Sequence, residues 1–135
     1  LIIKELHKKY SNKVEFIQVY LAEAHPIDKW WLGESETQKI IFNWTGTKGR
    51  NDFYEPKTLA ERHEKASHYR AVLYENQIPV FVDEMTNKVS EMYAAKPTRI
   101  YLIGKDGRVV YNPGFGPLSF NANHLEREIE AYISK

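Results

Sequence analysis

The 135-residue chain contains no cysteine. This absence excludes disulfide bonds, zinc sites built on thiolates and catalysis by a thiol within these residues. Any redox chemistry in which the chain takes part therefore needs a reactive group from outside this stretch.

Charge of one sign and long hydrophobic runs are also missing. Lys and Arg number 19 against 18 Asp and Glu, which gives a formal net charge of +1. Such a balance argues against a nucleic-acid surface, because phosphate binding usually requires a clustered basic excess. No apolar run reaches the roughly 18 residues of a membrane span, and no secretory signal opens the chain. With 42% apolar residues, the composition indicates one globular domain over residues 1–135.

Apolar periodicity predicts a helix, a buried strand, a long insertion, a second helix, a strand, a short helix, a β-hairpin and a final helix. The first strand, VEFIQVYLA at 14–22, is β-branched and aromatic, which is typical of a strand covered on both faces. Residues 26–57, roughly, show no periodicity, and an insertion of that length is typical of a functional excursion.

Three short patterns locate element boundaries. Thr58 and Glu61 form a capping-box signature where the second helix begins. Asp106-Gly107 favours the tight turn of a hairpin. Asn123, three residues before a glutamate, is predicted to be the N-cap of the final helix.

The predicted order is that of an α/β, thioredoxin-like three-layer sandwich whose first strand is absent from the sequence. In that fold the missing strand is central, and the reactive residue follows it. We expect the strands at Val14–Leu21 and Ile78–Val82 to flank the position of the missing strand. That position would be filled by omitted N-terminal residues or by a strand from a second copy of the chain. Lys96-Pro97 leads into the next strand, where such folds often place a cis peptide bond.

The segment VEFIQVYLAEAHPIDKWW at 14–31 resembles the iodothyronine deiodinases. The family pattern is filled by Tyr20, Glu23, Ala24, His25, Pro26, Asp28 and Trp30. The likeness continues through VDEMTNKVSEMYAA, RIYLIGKDGRVVY and the Gly-Phe-Gly-Pro turn, so it covers most of the chain. The insertion matches poorly. Leu59 and Arg62 fit the family's Leu-x-x-Arg, but Pro56 stands roughly where the family has a histidine.

Deiodinases remove iodine reductively from thyroid hormones with a selenocysteine or cysteine. The resemblance therefore implies a deiodinase-like oxidoreductase with a small iodinated aromatic substrate and a nucleophile upstream of residue 1. It also implies a thiol reductant as co-substrate, no other cofactor, and a homodimer. The cellular location stays open. Two alternatives stay open as well: a peroxiredoxin-like thiol oxidoreductase, and a non-catalytic thioredoxin-like binding module.

Glu23 and His25 are the predicted catalytic residues. They stand two apart on an extended segment, so their side chains point to the same side at the carboxyl end of a strand, where α/β folds place their sites. His25 is the candidate proton donor to the ring carbon, and Glu23 could hold its tautomer and charge. The alternative is a solvated carboxylate beside a turn histidine.

Arg99, Trp30 and Tyr20 are the predicted substrate-binding residues. Arg99 matches the family arginine that holds the hormone's carboxylate, a contact that suits a guanidinium fork. In the alternative interpretation, Arg99 is a strand-edge residue that neutralises the charge of Asp83 or Glu84. Trp30 could stack on an aromatic substrate, although aromatic side chains more often anchor a core or a loop.

No metal site is predicted. His63, Glu64 and His68 lie together on the second helix. A helical pair of metal ligands needs i, i+4 spacing, whereas the two histidines are five residues apart. These side chains are therefore interpreted as a solvated helix face.

Overall fold

The computed structural model describes residues 2–23, 26, 28 and 54–135. Along these residues the elements follow the predicted order, and most of the predicted insertion lies outside them. Their bounds are α1 Ile2–Tyr10, β1 Gln18–Tyr20, α2 Leu59–Tyr74, β2 Val80–Val82, α3 Lys88–Met92, β3 Leu102–Ile103, β4 Val109–Tyr111 and α4 Ala122–Ile133.

Two of the local boundary signals are confirmed. Thr58 caps α2: its hydroxyl accepts from the amide of Glu61 at 3.2 Å, and the Glu61 carboxylate accepts from the amide of Thr58 at 3.3 Å. These bonds satisfy two amides that the first helical turn leaves without a partner. In the β3–β4 hairpin Gly107 has φ +78°, the left-handed conformation that glycine adopts without steric cost.

The predicted N-cap of α4 is wrong by two residues. The helix begins at Ala122, and Asn121 is the N-cap, with its side-chain oxygen accepting from the amide of His124 at 3.0 Å. Asn123 lies within the first turn. The apolar positions Leu125 and Ile129 are the same under either assignment, so helical periodicity does not distinguish the two asparagines.

The strands form two two-stranded sheets within the described residues. β1 pairs directly with β2 in parallel, with Gln18 opposite Val80 and Tyr20 opposite Val82. The prediction that a missing strand separates these two is therefore wrong, because adjacent hydrogen-bonded strands leave no place between them. β3 pairs with β4 in antiparallel orientation. The mixed α/β character agrees with the prediction, while a three-layer thioredoxin-like sandwich is not established.

The two faces of the β1–β2 sheet differ. Tyr20 is buried on the face covered by α2, where its ring meets that of Tyr69 edge-on at 6.2 Å. On the other face Ile17 and Phe81 are 61% and 56% exposed. The first strand is thus covered on one face by the described residues, and the predicted burial on both faces is wrong.

A second packing centre lies around the hairpin. It joins α1, β3 and α4 through Leu6, Tyr10, Leu102, Leu125 and Ile129. Lys96-Pro97 is cis, as the sequence favours, and Gly116-Pro117 is cis as well. Among the described residues, none of the helices is both long and apolar enough to cross a membrane.

Candidate functional site

The carboxyl ends of β1 and β2 meet at one edge of their sheet. The strands are parallel, and the amide of Asp83 donates to the carbonyl of Tyr20 at 2.9 Å just beyond their last pair. The segments that follow the two strands therefore emerge side by side. This is the edge at which open α/β sheets place their ligands.

Glu23 lies at this edge, half-buried, and is held from two sides. The hydroxyl of Tyr20 donates to Glu23 Oε1 at 2.6 Å, and the Glu23 amide donates to Glu55 Oε2 at 3.1 Å. Burial, and then the hydrogen bond to Glu23, raises the pKa of Tyr20, so the phenol stays a donor at neutral pH. Glu23 Oε2 accepts no hydrogen bond from the described residues, which leaves one carboxylate oxygen for another group.

Glu55 forms a buried ion pair with Arg62. Their side chains are 7% and 2% exposed, and Arg62 Nη2 lies 3.8 Å from Glu55 Oε1. The amide of Glu55 also donates to Asp28 Oδ1 at 2.9 Å. Charges taken out of water attract each other more strongly, and each is costly to leave alone. The pair thus ties the Glu23 segment to the first turns of α2.

The remaining bonds of Arg62 reach the segment after β2. Nη1 donates to the carbonyls of Asp83 and Glu84 at 3.2 and 2.7 Å, and Nη2 donates to Asn87 Oδ1 at 3.3 Å. Only Nε of this guanidinium has no hydrogen-bond partner in the described part of the chain. Arg62 therefore joins the segments that follow both strands.

Asp83 is 1% exposed and caps the short helix α3. Its two carboxylate oxygens accept from the amides of Val89 and Ser90 at 3.0 and 2.9 Å. Asn87, the N-cap by position, makes no side-chain capping bond. A carboxylate supplied from the end of β2 thus satisfies the amides of the first turn, in the polarity that a helix dipole favours.

Within the described residues, Arg99 shares no hydrogen bond or ion pair with this cluster. Its Nε donates to the carbonyl of Ala94 at 3.1 Å, and its guanidinium carbon lies 3.7 Å from the ring centroid of Phe115. Across the described residues it makes no ion pair with Asp83 or Glu84, so the predicted alternative of charge neutralisation is wrong. The Asp83 carboxylate accepts from two amides of α3 instead.

Two of the predicted site residues, His25 and Trp30, lie outside the described residues. The Glu23–His25 pair therefore stays a prediction. His63, Glu64 and His68 are exposed on α2. Over residues 2–23, 26, 28 and 54–135 no group of three or more His, Asp or Glu side chains is arranged to hold a metal ion.

Sequence reasoning missed the roles of Glu55, Arg62, Asp83 and Phe115. One signal was present for Arg62, which precedes the buried Ala66 by four residues and so lies on the apolar face of α2. A charged residue on a buried helix face needs partners. Glu55 offers no comparable signal, because it stands at the end of a segment without periodicity.

Comparison with known proteins gives a consistent result. The family model described as iodothyronine deiodinase matches residues 2–133. The thyroxine 5-deiodinase of Ovis aries is 28% identical over 131 residues, which are 96% of this chain and 38% of the relative. The type I iodothyronine deiodinase of Xenopus laevis is 25% identical over 121 residues, 90% of this chain and 41% of the relative.

The type II iodothyronine deiodinase of Bos taurus is 24% identical over 136 residues, covering 97% of this chain and 45% of the relative. The chain thus spans about two fifths of the length of the curated relatives it matches. Because the family model covers nearly all of it, the resemblance found in the sequence is confirmed: the chain belongs to the iodothyronine deiodinase family.

Proposed function

We propose that the complete protein removes iodine reductively from iodothyronines or related iodinated phenols. Beside the family match, the observation that carries this proposal is the carboxylate of Glu23. It is half-buried at the carboxyl edge of the parallel strands and accepts from the Tyr20 hydroxyl, while the Glu23 amide donates to Glu55; its second oxygen accepts no hydrogen bond from the residues that the structure describes. Such a group suits the orientation of a proton donor.

The reaction needs a polarisable nucleophile, and residues 1–135 contain no cysteine. A thiolate or selenolate from elsewhere in the complete protein would attack the iodine. The carbon–iodine bond breaks, a chalcogen–iodine bond forms, and the ring carbon takes a proton. One thiol then displaces iodide from the chalcogen. A second thiol releases the first as a disulfide and restores the nucleophile.

The residues of this chain would handle the proton. His25 would donate it to the ring carbon, and Oε2 of Glu23 would accept a hydrogen bond from the imidazole and stabilise its charged form. The hydroxyl of Tyr20 bonds Glu23 Oε1, which supports a positioning role for a residue that the sequence placed among the substrate contacts.

Arg99 and Trp30 would bind the substrate. The guanidinium of Arg99 offers two terminal amino groups, a geometry that pairs with a carboxylate in bidentate fashion. Trp30 would stack on an iodinated ring. The proposal also includes a thiol reductant as co-substrate and a homodimer of the complete protein.

Iodide release by the complete protein tests this function. The protein would be incubated with an iodothyronine and dithiothreitol, with a variant of its chalcogen residue to alanine as control. We expect thiol-dependent release of iodide that the alanine variant lacks. Binding of the iodothyronine without iodide release would contradict the proposal and favour a binding module. Thiol-dependent peroxide reduction in place of deiodination would favour a peroxiredoxin-like enzyme.

A further inference from the structure

We propose that Phe115 is a positioning residue, which holds the Arg99 guanidinium so that its terminal amino groups face a ligand carboxylate. The ligand class is an aromatic compound that carries a carboxylate, and this part rests on the proposed function. The observation behind it is the stacked contact, with the guanidinium carbon 3.7 Å from the centroid of the Phe115 ring.

The backbone after α3 fixes one edge of Arg99. Ala94 has φ +44°, and the amide of Ala95 donates to the carbonyl of Ser90 at 2.8 Å, closing the helix. This turn directs the Ala94 carbonyl to Arg99 Nε at 3.1 Å. The hydroxyl of Tyr101, two residues after Arg99, donates to the carbonyl of Tyr93, the residue before Ala94, at 2.6 Å. The segment that carries Arg99 is thus held to the turn after α3 at two points.

The turn that carries Phe115 is fixed against the segment that carries Arg99. Gly116 donates its amide to the carbonyl of Thr98 at 3.0 Å. A Cβ at Gly116 would lie 2.1 Å from the ring of Phe120, so a larger residue there would displace that ring. Phe115 is 58% exposed and reaches Arg99 from a backbone held in place.

These contacts leave the terminal nitrogens of Arg99 open. One face of the guanidinium stacks on Phe115, and Nε is bonded to Ala94. Neither Nη1 nor Nη2 has a hydrogen bond or an ion pair with any of the described residues. A free arginine side chain loses much rotamer entropy when it binds a ligand, and a stacked one has already lost part of it.

Ligand binding to the complete protein tests the role of Phe115. Calorimetry would compare an iodothyronine with the same compound lacking its carboxylate, for the wild type, Phe115→Ala and Phe115→Tyr. We expect Phe115→Ala to weaken binding of the carboxylated ligand roughly three- to tenfold, and of the other ligand less than about twofold. Phe115→Tyr keeps the ring and should bind as the wild type does. Leu118→Ala, 99% exposed on the same turn, is the matched control.

Three results would overturn the inference: an equal loss for both ligands, no loss for either, or a wild type that does not prefer the carboxylated compound. The readout is binding, so it is independent of iodide release. A protein that shows the expected binding difference but releases no iodide would refute the proposed function and support the role of Phe115.

Discussion

Arg62 and Arg99 are the same residue type in two different settings. Arg62 is 2% exposed; it donates to two main-chain carbonyls and a side-chain amide, and it faces Glu55. Arg99 donates to one carbonyl and stacks on Phe115, and its terminal nitrogens make no hydrogen bond or ion pair with the described part of the chain. A guanidinium surrounded by acceptors holds segments of the chain together. One that is stacked and open is ready to bind an anion.

Removal of each arginine would test this contrast most strongly. We expect Arg62→Ala to lower the free energy of unfolding by about 3 to 5 kcal/mol, because it removes the buried charge that faces Glu55 together with three hydrogen bonds. Arg99→Ala should cost less than about 1 kcal/mol. Urea denaturation of the complete protein, followed by circular dichroism, measures both. Equal losses for the two variants would contradict the distinction.

Asp83 tests the same buried cluster from its other end. Asp83→Ala removes the acceptor of two α3 amides and leaves both without a partner. We expect a loss of about 2 to 4 kcal/mol, smaller than for Arg62 because that variant also removes a buried ion pair. The matched control is Glu84→Gln, an exposed neighbour that binds Arg62 through its carbonyl, and its expected effect is within about 0.5 kcal/mol. If the two variants lose the same amount, Asp83 is not the cap.

The elements that sequence predicts well are those set by local chemistry. The capping box of Thr58 and Glu61 and the Asp-Gly turn of the hairpin each depend on residues within a few positions of one another. The pairing of β1 with β2 does not, because their register joins residues some sixty positions apart. The expectation of a strand between them came from fold analogy, and no local signal opposed it.

The site divides in the same way. Glu23 and Arg99 could be proposed from the family pattern. Glu55 is the partner that holds Glu23, and Phe115 is the partner that holds Arg99. These partners are distant in sequence or lie in segments without helical or strand periodicity. An arginine on the apolar face of a helix was the one local sign of the buried cluster.

The two asparagines at the start of α4 give a smaller test of the structure against the sequence. Asn121→Ala removes the side-chain oxygen that accepts from the His124 amide, so it should cost about 1 kcal/mol. Asn123→Ala, one residue before His124 in the first turn, should cost nothing or stabilise slightly, since alanine has the higher helix propensity. Thermal unfolding of both variants measures the difference. A larger loss for Asn123→Ala would restore the cap predicted from sequence.

Exposed charges should contribute least, and their contribution depends on pH. Hydrogen bonds from Lys9 and then Tyr10 lower the pKa of Glu126 below its ordinary value of 4.5, and bonds from Tyr10 and then Lys9 do the same for Glu130. A carboxyl group whose pKa is lower in the folded than in the unfolded protein stabilises the fold at pH values above its unfolded-state pKa. This stability is lost as the pH falls through the folded-state pKa.

The variants Glu126→Gln and Glu130→Gln should therefore each have a slightly lower melting temperature than the wild type at pH 7. In acid their melting temperatures should approach that of the wild type. Melting temperatures between pH 3 and pH 7, on the complete protein, would show this narrowing. A constant gap across that range would mean that the glutamates act through packing rather than charge.

The most direct test of the account is the role of Glu23 in iodide release by the complete protein. Glu23→Gln keeps the shape of the side chain and an acceptor for Tyr20 but removes the charge that would orient and stabilise a protonated imidazole. We predict that kcat falls about a hundredfold or more while KM changes little, and that Glu64→Gln on the exposed face of α2 leaves both unchanged. A Glu23→Gln enzyme with wild-type kcat would contradict the central claim.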